Sequence, residues 1–377
     1  MEYNPSSLSD FANITQLVAT KAMQAASKRS NFVCSPYALT LSLLTLFPYL
    51  DMNGKKQVAS LLGIKKQIQN FQAFLGLPAH IDQRGTGVYL AANRVWAPPA
   101  PPPDSIPGRM ISAGVEKHLG PLNSRTNFYA ISDEIEGWYR QKMGEMYPAL
   151  GPILGEGDIK TPPPPFLATS VSGFCGGWEN KFHNNLIGKS DFKTNFGQVL
   201  LTPFMQRGAI FRSDINPQCK TLEMIVESKS FSNKLGMVLL SPRYVSLKDF
   251  EARLSPDFFQ WAVSRIIEVE SIFTMPLFTI QSTKTLPQLF GDKVRLDALD
   301  EKDGASGKLL HKTGIVVNDY GVGISENTMP LNTERIEAVL PPAIFFFDSP
   351  FTFWLRDRDS GVILLAGHYA TPFPNPF

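Results

Sequence analysis

The chain has 377 residues, of which 43% are hydrophobic and 19% charged, a globular composition that excludes a disordered chain and can fill a sizeable core. Thirty-six basic residues offset thirty-four acidic ones for a net charge of +2, so no global charge points to nucleic acid. Cys34, Cys175 and Cys219 are the three cysteines; they lack CxxC spacing, which argues against a disulfide framework and a structural zinc site.

The start, Met1-Glu2-Tyr3-Asn4-Pro5, has neither the basic opening nor the apolar stretch of a cleavable signal peptide. No run of about 18 apolar residues exists, so no membrane span is expected. Asn13-Ile14-Thr15 fits a glycosylation acceptor, which matters only on a secretory route. Leu8 to Ala26 has the spacing of an amphipathic helix, with Ser9 and Asp10 as caps. Ser35-Pro36 opens a second helix that is apolar almost all round and should be buried. Gly54 to Leu62 and Lys66 to Leu75 read as shorter helices. Lys55-Lys56 and Lys65-Lys66 read as solvated helix faces or, more sharply, as a weak polyanion site.

Thr86 to Ala97 reads as a strand, Ile106 to Leu119 and Ile131 to Met146 as helices, and Phe166 to Phe174 as a strand. The proline runs at 98–103 and 162–165 read as rigid loops within one domain, since no long flexible linker accompanies them. Strand character follows at Val199 to Met205, Lys220 to Val226, Leu235 to Leu240, Ile266 to Phe273 and Leu309 to Val317. Ser246 to Ile267 and Thr285 to Leu289 read as helical. The tail from Ile344 to Tyr369 is two apolar strands split by the turn chemistry of Asp357-Arg358-Asp359-Ser360-Gly361. Between Val317 and Ile344 lie about 25 mixed polar residues without periodicity, and a loop of that length is usually functional.

Catalytic motifs are missing: no GxxxxGK[ST], HExxH, GxSxG or GxGxxG occurs. The five histidines, His80, His118, His183, His311 and His368, form no metal-ligand pair at helical spacing. The chain is therefore not expected to be an enzyme, and neither metal nor cofactor is called for.

Several segments, read in order, resemble the motifs of one known family. Asn31-Phe32-Val33-Cys34-Ser35-Pro36 is similar to its NxxxSP entry to the second helix. Leu90-Ala91-Ala92-Asn93-Arg94-Val95-Trp96 resembles its strand ending in an asparagine-rich turn to apolar residues. Phe174-Cys175-Gly176-Gly177-Trp178, with Phe182, resembles FKGxW and the phenylalanine that follows. Phe204-Met205-Gln206-Arg207-Gly208 resembles MMxR, and Phe347 to Phe353 the C-terminal signature, with Gly367 and Pro372 closing it. The matches are colinear from about residue 8 to 372. The resemblance, to the serpin family, implies an α+β serpin fold: a single domain over 1–377, three β-sheets, eight or nine helices and an exposed reactive-centre loop at about 319–342.

His311-Lys312 and Val317-Asn318-Asp319-Tyr320-Gly321 resemble the family's approach to that loop. The resemblance makes Asp319, Gly321, Val322, Gly323 and Ile324 the hinge and places the cut at Arg335-Ile336, a bond for a trypsin-like serine protease with an acidic specificity pocket. Sliding the loop would put Val339-Leu340 near the cut and favour an elastase-like protease. The implied mechanism is a suicide trap: acyl-enzyme formation, then insertion of the loop as a new strand. The sheet-opening region would comprise Ser35, Ala38, Ser170 and His311, with Trp178 at the breach.

The chain also departs from the pattern. The family commonly has serine at Ala38 and asparagine at Ser170, so the latch is expected to be rewired. In an inserted strand, Val322, Ile324, Glu326, Thr328 and Pro330 would share the core-facing side. Glu326 would bury a charge and Pro330 would remove a ladder hydrogen bond; both would slow insertion. The alternative is a non-inhibitory serpin that binds or carries a ligand, or is cleaved as a plain substrate. A monomer is the default, acting outside the cell by an uncleaved or unconventional route or, alternatively, in the cytoplasm.

Overall fold

The computed structural model describes residues 5–64, 88–97, 100–101, 103–114, 119–121, 128–144, 151–154, 166–179, 182, 188–226, 235–291, 308–318, 321–322 and 343–372. Among these residues there are eight α-helices. They are α1 (Pro5–Ala25), α2 (Pro36–Leu46), α3 (Met52–Leu62), α4 (Ile106–Ser112), α5 (Phe128–Met143), α6 (Leu247–Glu251), α7 (Pro256–Ser264) and α8 (Leu286–Phe290). The expected α+β architecture is observed, with a helical N-terminal half and a strand-rich C-terminal half.

The first sheet has six strands in the order β10 (Phe278–Thr285), β11 (Lys308–Val317), β12 (Gly321–Val322), β4 (Leu167–Gly177), β2 (Val88–Ala97), β3 (Leu119–Pro121). The other two sheets share the 17-residue β6 (Val199–Ile215) and therefore hydrogen-bond as one nine-stranded sheet. On one side β6 pairs with β5 (Gly188–Lys193) and β9 (Ile267–Pro276), and β9 pairs in turn with β13 (Ala343–Phe346). On the other it leads through β7 (Cys219–Ile225), β8 (Leu235–Pro242), β14 (Phe351–Asp357) and β15 (Ile363–Tyr369) to β1 (Phe32–Cys34).

Local chemistry accounts for most element ends. Ser35 caps α2, its Oγ accepting the Ala38 N–H at 3.0 Å, and Pro36 fills the first turn, where no donor is required. Ten of the 11 residues of α2 are buried, as its all-round apolar sequence demands. Three expectations shift. α1 begins at Pro5, so Ser9 and Asp10 lie inside the helix rather than at its cap. The helix from Ile106 stops at Ser112, because Gly114 turns left-handed at φ +69°, and Leu119 starts a strand. The stretch from Ser246 to Ile267 divides into α6 and α7: Pro256 offers no N–H, and Ser255 before it is extended at φ −154° and caps the second piece.

The C-terminal hairpin lies at the centre of the core. Every residue of β14 and β15 is buried. Trp354 packs on Phe259 with ring centroids 4.5 Å apart, and each such side chain contributes about 2–3 kcal/mol by burial. Asp357 and Gly361 (φ +76°) form the turn, Asp357 Oδ2 accepting the Ser360 N–H. A side chain at Gly367 would run into the Phe32 carbonyl, so β1 can pair there only with glycine.

Candidate functional site

The six-stranded sheet has a seam. β4 and β11 run parallel and pair directly from Leu167↔Lys308 to Ser172↔Thr313. Beyond that point they part, and β12 begins a new strand between them. Val322 pairs antiparallel with Val317 of β11 and with Gly176 of β4, while Gly321 pairs with Gly177. Trp178, 1% exposed, stands at this mouth. It bridges to Val226, and its Nε1 donates to the Asn318 carbonyl at 2.9 Å, tying the end of β4 to the end of β11. Gly176 fits closely here: a Cβ would come within 2.7 Å of Val226 and 2.8 Å of the Phe174 ring, so a larger residue would force one of these side chains to shift.

A buried polar network crosses the closed part of the seam. His311 on β11 reaches Ser170 on β4 at 3.1 Å through Nδ1, and its Nε2 lies 2.9 Å from the Ser35 backbone N–H. That N–H can only donate, so Nε2 carries no proton and Nδ1–H points to Ser170 Oγ. Burial pushes the imidazole pKa down to about 3, against the opposing pull of the Ser170 hydrogen bond, and the ring is neutral. Thr313 Oγ1 also approaches Nε2, at 2.7 Å, and bonds across the seam to Ser172 Oγ at 2.9 Å. Below the sheet, Ser35 Oγ donates to the Leu364 carbonyl at 2.7 Å, which leaves Tyr89 as the donor in the 2.7 Å bond between their hydroxyls. The seam is thus fastened to α2 from both flanks: from β11 by His311 and from β2 by Tyr89.

Of the residues singled out in the sequence, Ser35, Ser170 and His311 meet directly. Ala38 is buried beside them and supplies its backbone N–H to Ser35 Oγ. Gly321 and Val322 lie in β12, and Trp178 at its mouth. Asp319, Gly323, Ile324, Glu326, Thr328, Pro330, Arg335, Ile336, Val339 and Leu340 lie outside the described residues, as do Lys65 and Lys66. Lys56 is exposed on α3, and Asn13 is exposed on α1 with its Oδ1 accepting from Gln260. Sequence reasoning missed Tyr89, Ser172 and Thr313. The alternation of Ser170 with Ser172 and of His311 with Thr313 was a visible period-two signal for one shared face.

Comparison with known proteins agrees with this geometry. Residues 12–372 match the family model described as serpin (serine protease inhibitor). The leukocyte elastase inhibitor of Homo sapiens is 22% identical over 370 residues, covering 91% of this chain and 93% of that protein. The native structure of the thermophilic serpin tengpin superposes with a TM-score of 0.79 at 16% identity, over 98% of this chain and 95% of that one. Human thyroxine-binding globulin in complex with its hormone gives a TM-score of 0.76 at 15% identity, over 97% and 99%.

Proposed function

The chain belongs to the serpin family of serine protease inhibitors, and from that premise we propose that it inhibits a trypsin-like serine protease as a suicide substrate. One domain, 1–377, would present the loop at about 319–342, with Arg335 in the protease's acidic pocket. The protease serine attacks the Arg335 carbonyl carbon, the Arg335–Ile336 amide breaks, and the amine of Ile336 leaves with a proton. The freed segment then enters the seam. Residues 322–335, fully extended, reach roughly 46 Å at about 3.3 Å per residue. Movement on that scale would drag the acylated protease away before water completes hydrolysis.

The observation that carries this reading is β12. A strand that pairs with both β4 and β11 at the mouth of the seam is the first rung of an inserted strand. Ser35, Ser170 and His311 would act as the latch on sheet opening, and Trp178 as the fastening at the breach. The mechanism is the same for either compartment raised by the sequence.

A second reading follows from the name of one relative, leukocyte elastase inhibitor: an elastase-type protease, for which the slid loop would offer Val339-Leu340. Incubation with each protease type, followed by N-terminal sequencing of the released C-terminal fragment, separates the two. A fragment starting Ile336-Glu337-Ala338 supports the trypsin-like reading. One starting at Leu340 replaces it with the elastase-like reading. Cleavage with full release of active protease in both digests moves the chain to the non-inhibitory class of carrier or plain substrate.

A further inference from the structure

The trapping reaction needs the chain beyond β12 to enter the seam, and the inference here rests on that reading. β12 already fixes the register. Gly321 and Val322 pair with Gly177 and Gly176 of β4, and Val322 pairs with Val317 of β11. The incoming chain is antiparallel to both neighbours, so each added residue steps one place back on each of them. β4 and β11 are paired with each other at the same offset, Ser170 with His311 and Ser172 with Thr313, so the new strand needs no bulge.

Carried forward, that register brings like to like on the core-facing side. Ile324 falls between Phe174 and Ile315, which are 2% and 1% exposed. Glu326 falls between Ser172 and Thr313, Thr328 between Ser170 and His311, and Pro330 between Ala168 and Leu309. A slip of two residues in either direction would instead set the Glu326 carboxylate between Phe174 and Ile315 or beside His311.

We propose that Ser172 and Thr313 form the receptor for the Glu326 carboxylate in the inserted state, after holding the seam closed in the uncut state. Before cleavage the two hydroxyls bond to each other at 2.9 Å. Insertion moves their strands apart by one strand spacing, about 4.8 Å, and that bond cannot persist. Both hydroxyls then face the new strand at the position of Glu326. A carboxylate is an acceptor with two oxygens: Ser172 can donate its O–H to one, and Thr313 can donate to the other once its O–H turns from His311 Nε2, giving charge-assisted hydrogen bonds. His311 remains a poor alternative counter-charge, because its Nε2 is committed to the Ser35 N–H. The residue that looks unfit for insertion in the sequence therefore meets two hydroxyls at its own level of the seam.

A double-mutant cycle tests this on loop-cleaved protein, with urea resistance as the readout. Glu326→Ala is expected to weaken the cleaved form in the parent seam, and to leave it unchanged or strengthen it when Ser172→Ala and Thr313→Val are also present. Equal strengthening by Glu326→Ala in both seams would overturn the pairing while leaving insertion intact. If neither the cleaved parent nor cleaved Glu326→Ala resists urea better than the uncut protein, insertion itself fails and the trapping reading falls with the pairing. Where the seam variants do not fold, a synthetic peptide of residues 322–335 is annealed to the parent protein. The Glu326 peptide should bind at least about tenfold more tightly than its Glu326→Ala version, the scale of one hydrogen bond to a charged group. Equal or weaker binding contradicts the proposal.

Discussion

Trp178 Nε1 donates to the Asn318 carbonyl at 2.9 Å, and that bond ties the end of β4 to the end of β11 beyond β12, where the two strands have already parted. Trp178→Phe keeps much of the ring packing and deletes the bond. The expected loss is about 1 kcal/mol or somewhat more in equilibrium urea unfolding. Amide exchange at Gly321 and Val322 should also accelerate, because β12 depends on the spacing of its two neighbours. Unchanged exchange there would show that Trp178 serves packing alone.

Tyr89→Phe removes the hydroxyl that fastens β2 to Ser35 Oγ. β2 pairs with β4 from Val88 to Trp96, so it must travel with β4 when the seam opens. The variant should lose about 1 kcal/mol of stability and accept a loop peptide faster than the parent. Lower stability with an unchanged annealing rate would mean that the hydroxyl stabilises the fold without gating the seam.

His311 makes the uncut protein acid-sensitive. Free histidine titrates near 6.5, while the buried ring takes a proton only near pH 3. Between those values the unfolded chain binds a proton that the folded chain refuses. The stability contributed by neutral His311 is therefore complete above about pH 6.5 and is lost as pH falls from there towards 3. The slope reaches about 1.4 kcal/mol per pH unit. Urea midpoints measured from pH 7 to 4 should fall more steeply for the parent than for His311→Gln, and parallel curves would refute the assignment.

A second buried cluster holds the far end of the core. Glu251, fully buried, takes Lys28 Nζ at 2.6 Å, His368 Nδ1 at 3.1 Å and the Thr352 hydroxyl at 2.8 Å. Burial alone would raise its pKa, but His368 and Lys28 outweigh that and hold the carboxyl below its ordinary value. Glu251→Gln strips the counter-charge from the part-buried Lys28 and should cost about 3 kcal/mol or more in thermal or urea denaturation. The parent's contribution from this group is present above the ordinary carboxylate range and is lost on acidification below it. A near-neutral Glu251→Gln would show the cluster to be dispensable.

What the sequence revealed in advance followed how local each signal was. Ser35-Pro36 announces its helix because cap and first turn are chemistry of neighbouring residues. The turn at Asp357–Gly361 was legible for the same reason. β10 was not: it alternates, but with Phe278 and Ile280 as its only aliphatic or aromatic side chains it lacks a clear apolar pattern. The short β1, β3 and β5 carry too few residues to show a period. At the seam, the family resemblance picked out Ser35, Ser170 and His311, which meet in one hydrogen-bond network. The rest of that network was hidden, because Tyr89, Ser172 and Thr313 sit on three different strands and meet only through the sheet register.

The central claim is that a protease is trapped, and denaturing gel electrophoresis after incubation with a trypsin-like protease tests it most directly. The account predicts a band at the summed mass of the two proteins that survives denaturant and disappears in Arg335→Ala. Complete cleavage of the loop with no such band, and with the protease still active, would contradict it.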